Sequence, residues 1–419
     1  MSQMMNGLNF NVFLTLIFLF FFGVSCGNEH TQESTYTHSA QIDSTIEKGL
    51  SDSNFTGAVI LVGSGNEIHY QKAYGYATLY DQELKVVENP DSTTVDHLFD
   101  IASLTKIFAT TYAVMALHSD GLVELDDRVS EYIEEFAKPS HSQITIRHLL
   151  SHSSGLRQWY PTYYAIDSSS SEFVNWVVDL DLTGPPGENR RYSDLGFMVL
   201  AEIIERVTDQ KVEDYLSERI YEPLGLSEIG FNPDAGSDEH IVSTSHGNPF
   251  ERKMISDDSF GYTIDVDPDS WDEWRDYTLK GEVNDGNAFY TFAGVSGHAG
   301  LFASVGELSA LLKLILNGGY WNDKEIISTS TIEKFITKDQ FGNGLGWAMD
   351  PGFLHAENLP EGSIGHTGFT GVNFVMSPED DLYYIFLTNR QHVGVDESGN
   401  YPDLRNIRKE LSSIIFKDL

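Results

Sequence analysis

The chain has 419 residues, of which 41% are hydrophobic, and a formal net charge of −37. This length and apolar content suffice for one large domain or two closely associated ones, and they exclude a disordered chain. The charge argues against nucleic-acid binding, because phosphate contacts need clustered lysines and arginines, and against direct adhesion to anionic lipid. We therefore expect a folded protein with a solvated acidic surface and no nucleic-acid partner.

The N-terminal region contains an apolar run, Val12 to Val24, which is shorter than the roughly 20 residues of a membrane-spanning helix. Its length is typical of the core of an export signal. Cys26, the only cysteine, follows the run and resembles the acceptor of a bacterial lipoprotein signal. Gly23 stands where a leucine-like residue is usual, and no Lys or Arg precedes the run. A conventional signal peptide that is cut nearby is therefore the alternative.

These features predict a lipoprotein-type signal peptide at residues 1–25, a flexible tether at 26–44 and a folded domain at 45–419. The tether is predicted because its sequence is polar and lacks apolar periodicity. The protein is then exported and lipid-anchored in the bacterial cell envelope, and it meets the membrane through that anchor only. Once Cys26 is lipidated, the domain has no free thiol, which excludes disulfides and thiol catalysis there.

Within the domain, strands are predicted near both ends. Short apolar runs around a glycine-rich turn predict a hairpin at Phe55–Tyr80. From Thr105 to about Leu316 the pattern is mostly helical. Two further strands follow at Thr370–Met376 and Leu382–Leu387, and an amphipathic helix begins near Asp403. This order predicts an α+β fold in which one antiparallel sheet is built from both termini and lies beside a helical region.

The segment from Asp234 to Asn287 differs from its surroundings because it is rich in Asp, Ser and Gly with scattered aromatic residues. Loops of this length in a folded domain are usually functional or disordered. One hypothesis is that the segment forms part of a cleft rim and helps to choose the substrate. The alternative is a surface insertion without a role.

Ser103 and Lys106 form a Ser-x-x-Lys pair at the start of an apolar run, Ile107 to Leu117, that predicts a helix ending at Asp120-Gly121. If Ser103 opens this helix, Lys106 lies on the same face, and the helix dipole favours developing negative charge at Ser103. A serine hydroxyl needs a neighbouring base to act as a nucleophile. We expect burial to lower the pKa of Lys106 towards the range in which it accepts a proton.

Two further motifs, Tyr192-Ser193-Asp194 and His366-Thr367-Gly368, follow in the chain. In this order the three motifs resemble those of the penicillin-recognising serine hydrolases: class C β-lactamases, D-Ala-D-Ala peptidases and related esterases. The motifs of that family are Ser-x-x-Lys, Tyr-x-Asn and Lys- or His-Thr-Gly. The resemblance extends to FDIASLTKIFAT, RHLLSHSSGL, YSDLGFMVLAEIIERVT, AGVSGHAGLFASVGELSALLKLILNGG and GSIGHTGFTGVNFVMSPEDD, and it covers the chain from about residue 45 to the end.

The resemblance implies a sheet flanked by helices plus a mainly helical subdomain (a β-lactamase/transpeptidase-like fold), with the active site in the cleft between them. It implies that Ser103 is the acyl-enzyme nucleophile and that Lys106 and Tyr192 share the work of the base. Which of the two takes the proton stays open, since a tyrosine serves as a base only when cations such as Lys106 and His366 stabilise its phenolate. The amides of Ser103 and Phe369 correspond to the oxyanion hole of the family.

The remaining motif residues are predicted to bind substrate, with two departures from the family pattern. Asp194 replaces an asparagine; its carboxylate only accepts hydrogen bonds, but it could pair with Lys106 and keep that side chain charged. His366 replaces a lysine, and its titration near neutral pH would make activity pH-sensitive. Thr367 and Gly368 are expected on a sheet-edge strand, where glycine allows close approach of the backbone to substrate.

No metal or other cofactor is expected. His148, His152 and His298 lack the spacing of metal-ligand motifs. His298 is interpreted as a packed structural histidine, and Asp285 resembles a cleft-loop residue of some family members.

The sequence thus predicts an exported serine hydrolase that acts through an acyl-enzyme on an amide or ester bond of a peptide or small molecule. Peptidoglycan-derived D-Ala peptides are the leading substrates. One alternative is an esterase or weak β-lactamase on the same scaffold, because fold alone does not decide the substrate. Another is a non-catalytic sensor that binds penicillin or peptide in the cleft without turnover.

Overall fold

The computed structural model describes residues 36–166, 170–233, 240–262 and 264–419. The predicted signal peptide, Cys26 and the tether residues before 36 lie outside this part of the chain. The strands are β1 Gly57–Gly63, β2 Ile68–Tyr80, β3 Val86–Ser92, β4 Phe99–Asp100, β5 Gly230–Phe231, β6 Leu301–Ala303, β7 Tyr320–Trp321, β8 Lys324–Glu325, β9 Ile364–Thr367, β10 Asn373–Ser377 and β11 Leu382–Thr388. The helices are α1 Ser39–Ser51, α2 Tyr112–Ser119, α3 Ile146–Leu150, α4 Ser170–Val177, α5 Asp194–Thr208, α6 Val212–Leu216, α7 Glu222–Leu224, α8 Pro249–Ser256, α9 Val305–Leu316, α10 Thr329–Ile336, α11 Pro351–Leu354 and α12 Arg405–Ile415.

The main sheet has six antiparallel strands in the order β3-β2-β1-β11-β10-β9. The N-terminal hairpin β1–β2 therefore pairs with the C-terminal strands through β1 and β11. This confirms the prediction of one antiparallel sheet built from both ends of the chain. The two smaller sheets are β4-β6-β5 and β7-β8.

The central strands β1, β11 and β10 are buried on both faces, and this explains why the sequence of β1 is apolar throughout. Successive side chains of a strand point to opposite faces. Ile60 and Val62 pack in one apolar cluster with Leu411 of α12. Val59 and Leu61 belong to the main core, which also contains the apolar side of α9. Because both faces of β1 are covered, its residues do not alternate between apolar and polar.

The helical region lies on the α9 side of the sheet. The predicted helix after Ser103 is present as a π-helical segment, Lys106–Thr111, that continues into α2 and ends at Ser119. The ring of Phe108 in this segment lies 4.9 Å from that of Phe374 on β10. This contact fixes the Lys106 helix against the strand that pairs with β9.

One predicted boundary is wrong. Helix α1 begins at Ser39, and its Ile42 is fully buried against the sheet, so residues 39–44 belong to the folded domain and not to a tether. The polar appearance of this segment reflects the outward face of an amphipathic helix. The closing helix α12 begins close to the predicted position, after Asp403, whose carboxylate accepts a hydrogen bond from the Arg405 amide.

No helix in the described ranges is long and apolar enough to cross a membrane.

Candidate active site

Ser103 lies in a tight turn that is held from several sides. It occupies a 3-10 turn, Ala102–Leu104, directly after β4. Ala102 has a positive φ of 46°, a conformation that costs energy for a residue with a side chain and that clusters at functional sites. The Asp100 carboxylate accepts hydrogen bonds from the amides of Ala102 (2.8 Å) and Asn284 (2.6 Å). Burial raises the pKa of Asp100 to about 6, which the two amide donors partly oppose.

The ammonium group of Lys106 is surrounded by oxygen acceptors. Its Nζ lies 3.1 Å from Ser103 Oγ, 3.0 Å from the carbonyl oxygen of His298 and 2.7 Å from Asp194 Oδ1. A protonated lysine has three N–H donors and no acceptor, so this environment matches the charged form. Burial lowers the pKa of Lys106, but the charge of Asp194, together with hydrogen bonding to Asp194 and Tyr192, raises it above the ordinary value. The expectation that burial prepares Lys106 to accept a proton is therefore wrong, whereas the pairing of Asp194 with Lys106 is present.

Tyr192 faces the same group from the loop before α5. Its ring centroid lies 4.9 Å from Lys106 Nζ and 4.5 Å from the His152 ring. The loop is fixed because Ser193 caps α5 by accepting from the Gly196 amide, which places Asp194 in the first turn of that helix. The helix dipole favours a negative charge at this position.

The phenol of Tyr192 is neutral in this arrangement. Burial raises its pKa, and the nearby Asp194 acts in the same direction. The charge of Lys106 and hydrogen bonds to Lys106 and Ser103 oppose that rise without reversing it. Both base candidates, Lys106 and Tyr192, therefore hold their protons before substrate arrives.

His366 is a buried neutral imidazole. It lies on β9 opposite Phe374, is 2% exposed, and its Nδ1 donates to the Thr367 carbonyl oxygen at 2.8 Å. Burial and then the charge of Lys106 lower its pKa to about 3. The expectation that His366 titrates near neutral pH is therefore wrong, and this residue does not supply a cation for the Tyr192 phenolate.

Gly368 brings the end of β9 against the Ser103 turn. As predicted, β9 is an edge strand of the main sheet, and Thr367 is its last residue. A Cβ atom at Gly368 would clash with Val372 and would lie 2.7 Å from the carbonyl oxygen of Ile101. Only a residue without a side chain allows this approach.

Ser103, Asp194 and Phe369 line one cavity of about 160 Å³. The structure thus brings together the three predicted motifs and places the Ser103 turn and Phe369 at the same opening. His366 lies behind this surface and does not line the cavity. Its contact with substrate stays a prediction.

Several residues of the cavity wall carry no sequence motif. Asn248, Phe250, Glu251 and Asn284 all line it and all belong to the unusual segment at 234–287. The signal available in the sequence was the composition of that segment, which indicated a cleft rim without identifying these positions. The part of the segment that the structure describes does contribute to the cleft.

His298 is packed as predicted, at 1% exposure. Its Nε2 donates to Asp285 Oδ1 at 2.9 Å, and its carbonyl oxygen accepts from Lys106. Within the described ranges, no group of three or more His, Cys, Asp or Glu residues could hold a metal ion.

A Ser-x-x-Lys turn, a Tyr-x-Asp loop and a His-Thr-Gly strand that meet at one cleft beside an antiparallel sheet define a serine hydrolase of the penicillin-recognising class. Residues 42–408 match the model of the Beta-lactamase family. The chain belongs to that family.

Relatives and solved structures agree with this assignment. The chain is 31% identical over 424 aligned positions to a protein of Escherichia coli (strain K12) named "Putative D-alanyl-D-alanine carboxypeptidase", and the match covers 93% of this chain and 94% of that protein. Its fold is similar to that of a class C β-lactamase from Rhodobacter sphaeroides (TM-score 0.64, 17% identity, 91% of this chain and 99% of the other). It is also similar to that of EstCE1, a hydrolase with promiscuous acyltransferase activity (TM-score 0.65, 19% identity, 90% and 98%).

Proposed function

We propose that the protein is a serine hydrolase that forms an acyl-enzyme on Ser103 and acts on peptides ending in D-alanine. The observation that carries the proposal is the position of Ser103 Oγ. It lies 3.1 Å from the Lys106 ammonium, next to Tyr192, and lines a cavity large enough for a small substrate group. The E. coli relative, whose name describes a D-alanyl-D-alanine carboxypeptidase, supports the substrate class.

In the proposed acylation, the Tyr192 phenol relays a proton without ionising. As Ser103 Oγ attacks the carbonyl carbon, its proton passes to the Tyr192 oxygen while the original phenol proton passes to the leaving nitrogen or oxygen. The scissile bond breaks as the ester bond to Ser103 forms. Lys106 stays protonated, since three acceptors surround its ammonium, and it stabilises negative charge that develops on Ser103 and Tyr192.

The substrate carbonyl oxygen is proposed to lie between the amides of Ser103 and Phe369. One such donor is typically worth about 3 kcal/mol of transition-state stabilisation. Hydrolysis of the acyl-enzyme follows when water gives one proton to Tyr192 and Tyr192 returns one to Ser103. Asp194 positions Lys106, and Gly368 and Thr367 form the wall along which the substrate backbone lies.

An esterase is the second candidate because of one observation. Asp194 stands where the family usually has asparagine, and its carboxylate is occupied by Lys106 and has no N–H to donate to a substrate amide carbonyl. Hydrolysis of an ester depends less on a hydrogen-bond donor at this position. The similarity to EstCE1 concerns the fold only.

Intact mass spectrometry tests the proposal. We expect wild-type protein to gain one adduct from a fluorophosphonate and one from a penicillin, and Ser103→Ala to gain neither. An adduct with fluorophosphonate alone favours the esterase. No adduct with either reagent overturns the assignment of the nucleophile and favours a non-catalytic binding protein.

We also propose export and lipid attachment at Cys26, from the apolar run and the cysteine that follows it. The folded domain then meets the membrane through this anchor only, and the tether is shorter than the sequence suggested because α1 begins at Ser39. Radiolabelled palmitate should enter wild-type protein expressed in a bacterium and should not enter Cys26→Ser. Equal labelling of the two proteins contradicts lipidation at Cys26.

A further inference from the structure

We infer that the cavity beside Ser103 is a subsite for a positively charged substrate group, a primary ammonium, and that Glu251 and Asp285 recognise it. This inference deepens the proposed function and rests on it, because the cavity matters to substrate choice only if Ser103 is the reacting group. It also gives the hypothesised cleft rim at residues 234–287 a chemical role.

The cavity wall is rich in carboxyl groups. Three carboxylates line it, those of Asp194, Glu251 and Asp285, and no Lys or Arg of the described residues does so. Ser103 lines the same cavity, so a group that occupies it lies next to the reacting bond. A cavity lined by carboxyl groups and by no basic side chain of the described residues favours a substrate ammonium over a substrate carboxylate.

Two of the carboxylates already have cationic or N–H partners from the protein. Asp194 lies 2.7 Å from Lys106, and Asp285 accepts from His298 at 2.9 Å. Although burial raises the pKa of Asp285, His298 holds it below the ordinary value. These two carboxylates therefore already have partners within the protein.

Glu251 has no ion-pair partner within the described part of the chain. Its carboxylate accepts from Tyr163 Oη at 2.8 Å and from the Gly286 amide at 3.0 Å, and both donors are neutral. The nearest basic group is Arg275, whose donors are used by Asn248 and by backbone carbonyls behind the cavity wall. Glu251 is thus the carboxyl group in the cavity that is left for a substrate cation to pair with.

The protonation of Glu251 agrees with this role. Burial, and then the charge of Asp285, raises its pKa to about 8, while Tyr163, Arg275 and the Gly286 amide oppose the rise. An incoming ammonium stabilises the ionised form, as a nearby cation does for any carboxylate. Ammonium binding near neutral pH therefore releases a proton from Glu251, and a residue with a purely structural role would show no such release.

The remaining walls suit an organic cation. Trp159, Phe250 and Tyr401 line the cavity, and aromatic faces attract ammonium groups. Phe250 is fixed by its neighbours, since its ring lies 4.9 Å from that of Phe369. The combination of acidic and aromatic walls favours an amino-bearing side chain over a bare inorganic ion.

The test uses n-pentylammonium and its neutral counterpart 1-pentanol as probes. We expect pentylammonium to slow fluorophosphonate labelling of Ser103 at about tenfold lower concentration than pentanol, and Glu251→Gln to weaken its effect by about tenfold. Titration calorimetry of pentylammonium in two buffers of different ionisation enthalpy should show proton release by the wild type and none by Glu251→Gln. Glu333→Gln, at an exposed position on α10, serves as the matched control.

Each outcome decides the inference. Equal potency of the two probes, or equal pentylammonium binding by wild type and Glu251→Gln, overturns it even when Ser103 is labelled normally. Absence of fluorophosphonate labelling overturns the proposed function instead, and calorimetry on the unlabelled protein then decides the cation site alone. If Glu251→Gln does not fold, Gly286→Ala tests the same site, because its Cβ would press on the Glu251 carboxylate.

Discussion

The Lys106 ammonium lies 2.7 Å from the carboxylate of Asp194, a residue that stands where the family usually has asparagine. The pairing keeps a fully buried lysine charged next to Ser103. A single substitution in the second motif thus fixes the protonation state of the first motif. In the proposed mechanism, the Tyr192 oxygen is therefore the acceptor for the Ser103 proton.

Asp194→Asn should therefore change the pH dependence of the enzyme. Without the Asp194 charge, burial lowers the pKa of Lys106 below its value in the wild type. As the pH rises, activity that needs the Lys106 ammonium is then lost at a lower pH in Asp194→Asn than in the wild type. The measurement is kcat/KM for an activated ester across the neutral and alkaline range. Asp179→Asn, which removes the surface pair with Lys138, is the matched control. An alkaline limb that does not move contradicts the role given to Lys106.

Tyr192→Phe should abolish most of the acylation without affecting the fold. The substitution removes the oxygen that receives the Ser103 proton but keeps the ring against His152. We expect the rate of fluorophosphonate labelling to fall by about 10²–10⁴-fold. Tyr320→Phe removes a hydroxyl from an exposed tyrosine and should label at the wild-type rate. If Tyr192→Phe is labelled as fast as the wild type, Lys106 and not Tyr192 is the base.

His366 should reduce stability in mild acid. Its pKa is about 3 in the folded protein and 6.5 in the ordinary state, so the unfolded chain binds the proton more readily. The stability from neutral His366 is complete above about pH 6.5 and is lost as the pH falls towards 3, amounting to about 2 kcal/mol by about pH 5. Urea unfolding of wild type and His366→Gln at neutral pH and at about pH 5 measures this difference. If wild type and His366→Gln lose equal free energies of unfolding between the two pH values, His366 is already charged at neutral pH.

Gly368→Ala should damage the site more than the fold. The new Cβ meets the Ile101 carbonyl oxygen, a backbone atom next to the Ser103 turn that has little freedom to move. Displacement of the strand end by a fraction of an ångström separates the two proposed oxyanion donors. We expect kcat/KM to fall by about 10²-fold, with a smaller loss of about 1–3 kcal/mol in the free energy of unfolding. Gly184→Ala is the control, since nothing lies within 4 Å of its Cβ position. Full activity in Gly368→Ala would mean that this close approach is dispensable.

The sequence predicted the features that depend on short stretches of chain. The hairpin around β1 and β2, the helix after Ser103 and the edge position of Thr367 follow from local apolar patterning and turn residues. The three motifs follow from residue identity and order. Their meeting at one cleft was implied by the resemblance to a known family and is confirmed by the geometry around Lys106.

The protonation states could not be predicted, because residues distant in sequence set them. Lys106 is kept charged by Asp194 on α5 and receives a further acceptor from the His298 carbonyl. His366 is neutral because it is buried in the sheet opposite Phe374 of β10, which the sequence of a four-residue strand does not reveal. The start of α1 was missed since its buried Ile42 is one apolar residue in a polar segment.

The pairing of β1 with β11 joins residues near the beginning of the domain to residues near its end, with Ala58 opposite Thr388. Sheets that depend on such distant contacts form slowly, because the intervening chain must first be brought together. A ribosome makes the Ser103 turn early, but β9, which carries the opposite wall of the cleft, pairs with β10, which in turn pairs with β11. A nascent or C-terminally truncated copy would therefore have the proposed nucleophile without Phe369, the second proposed oxyanion donor, and on the proposed mechanism it would be inactive.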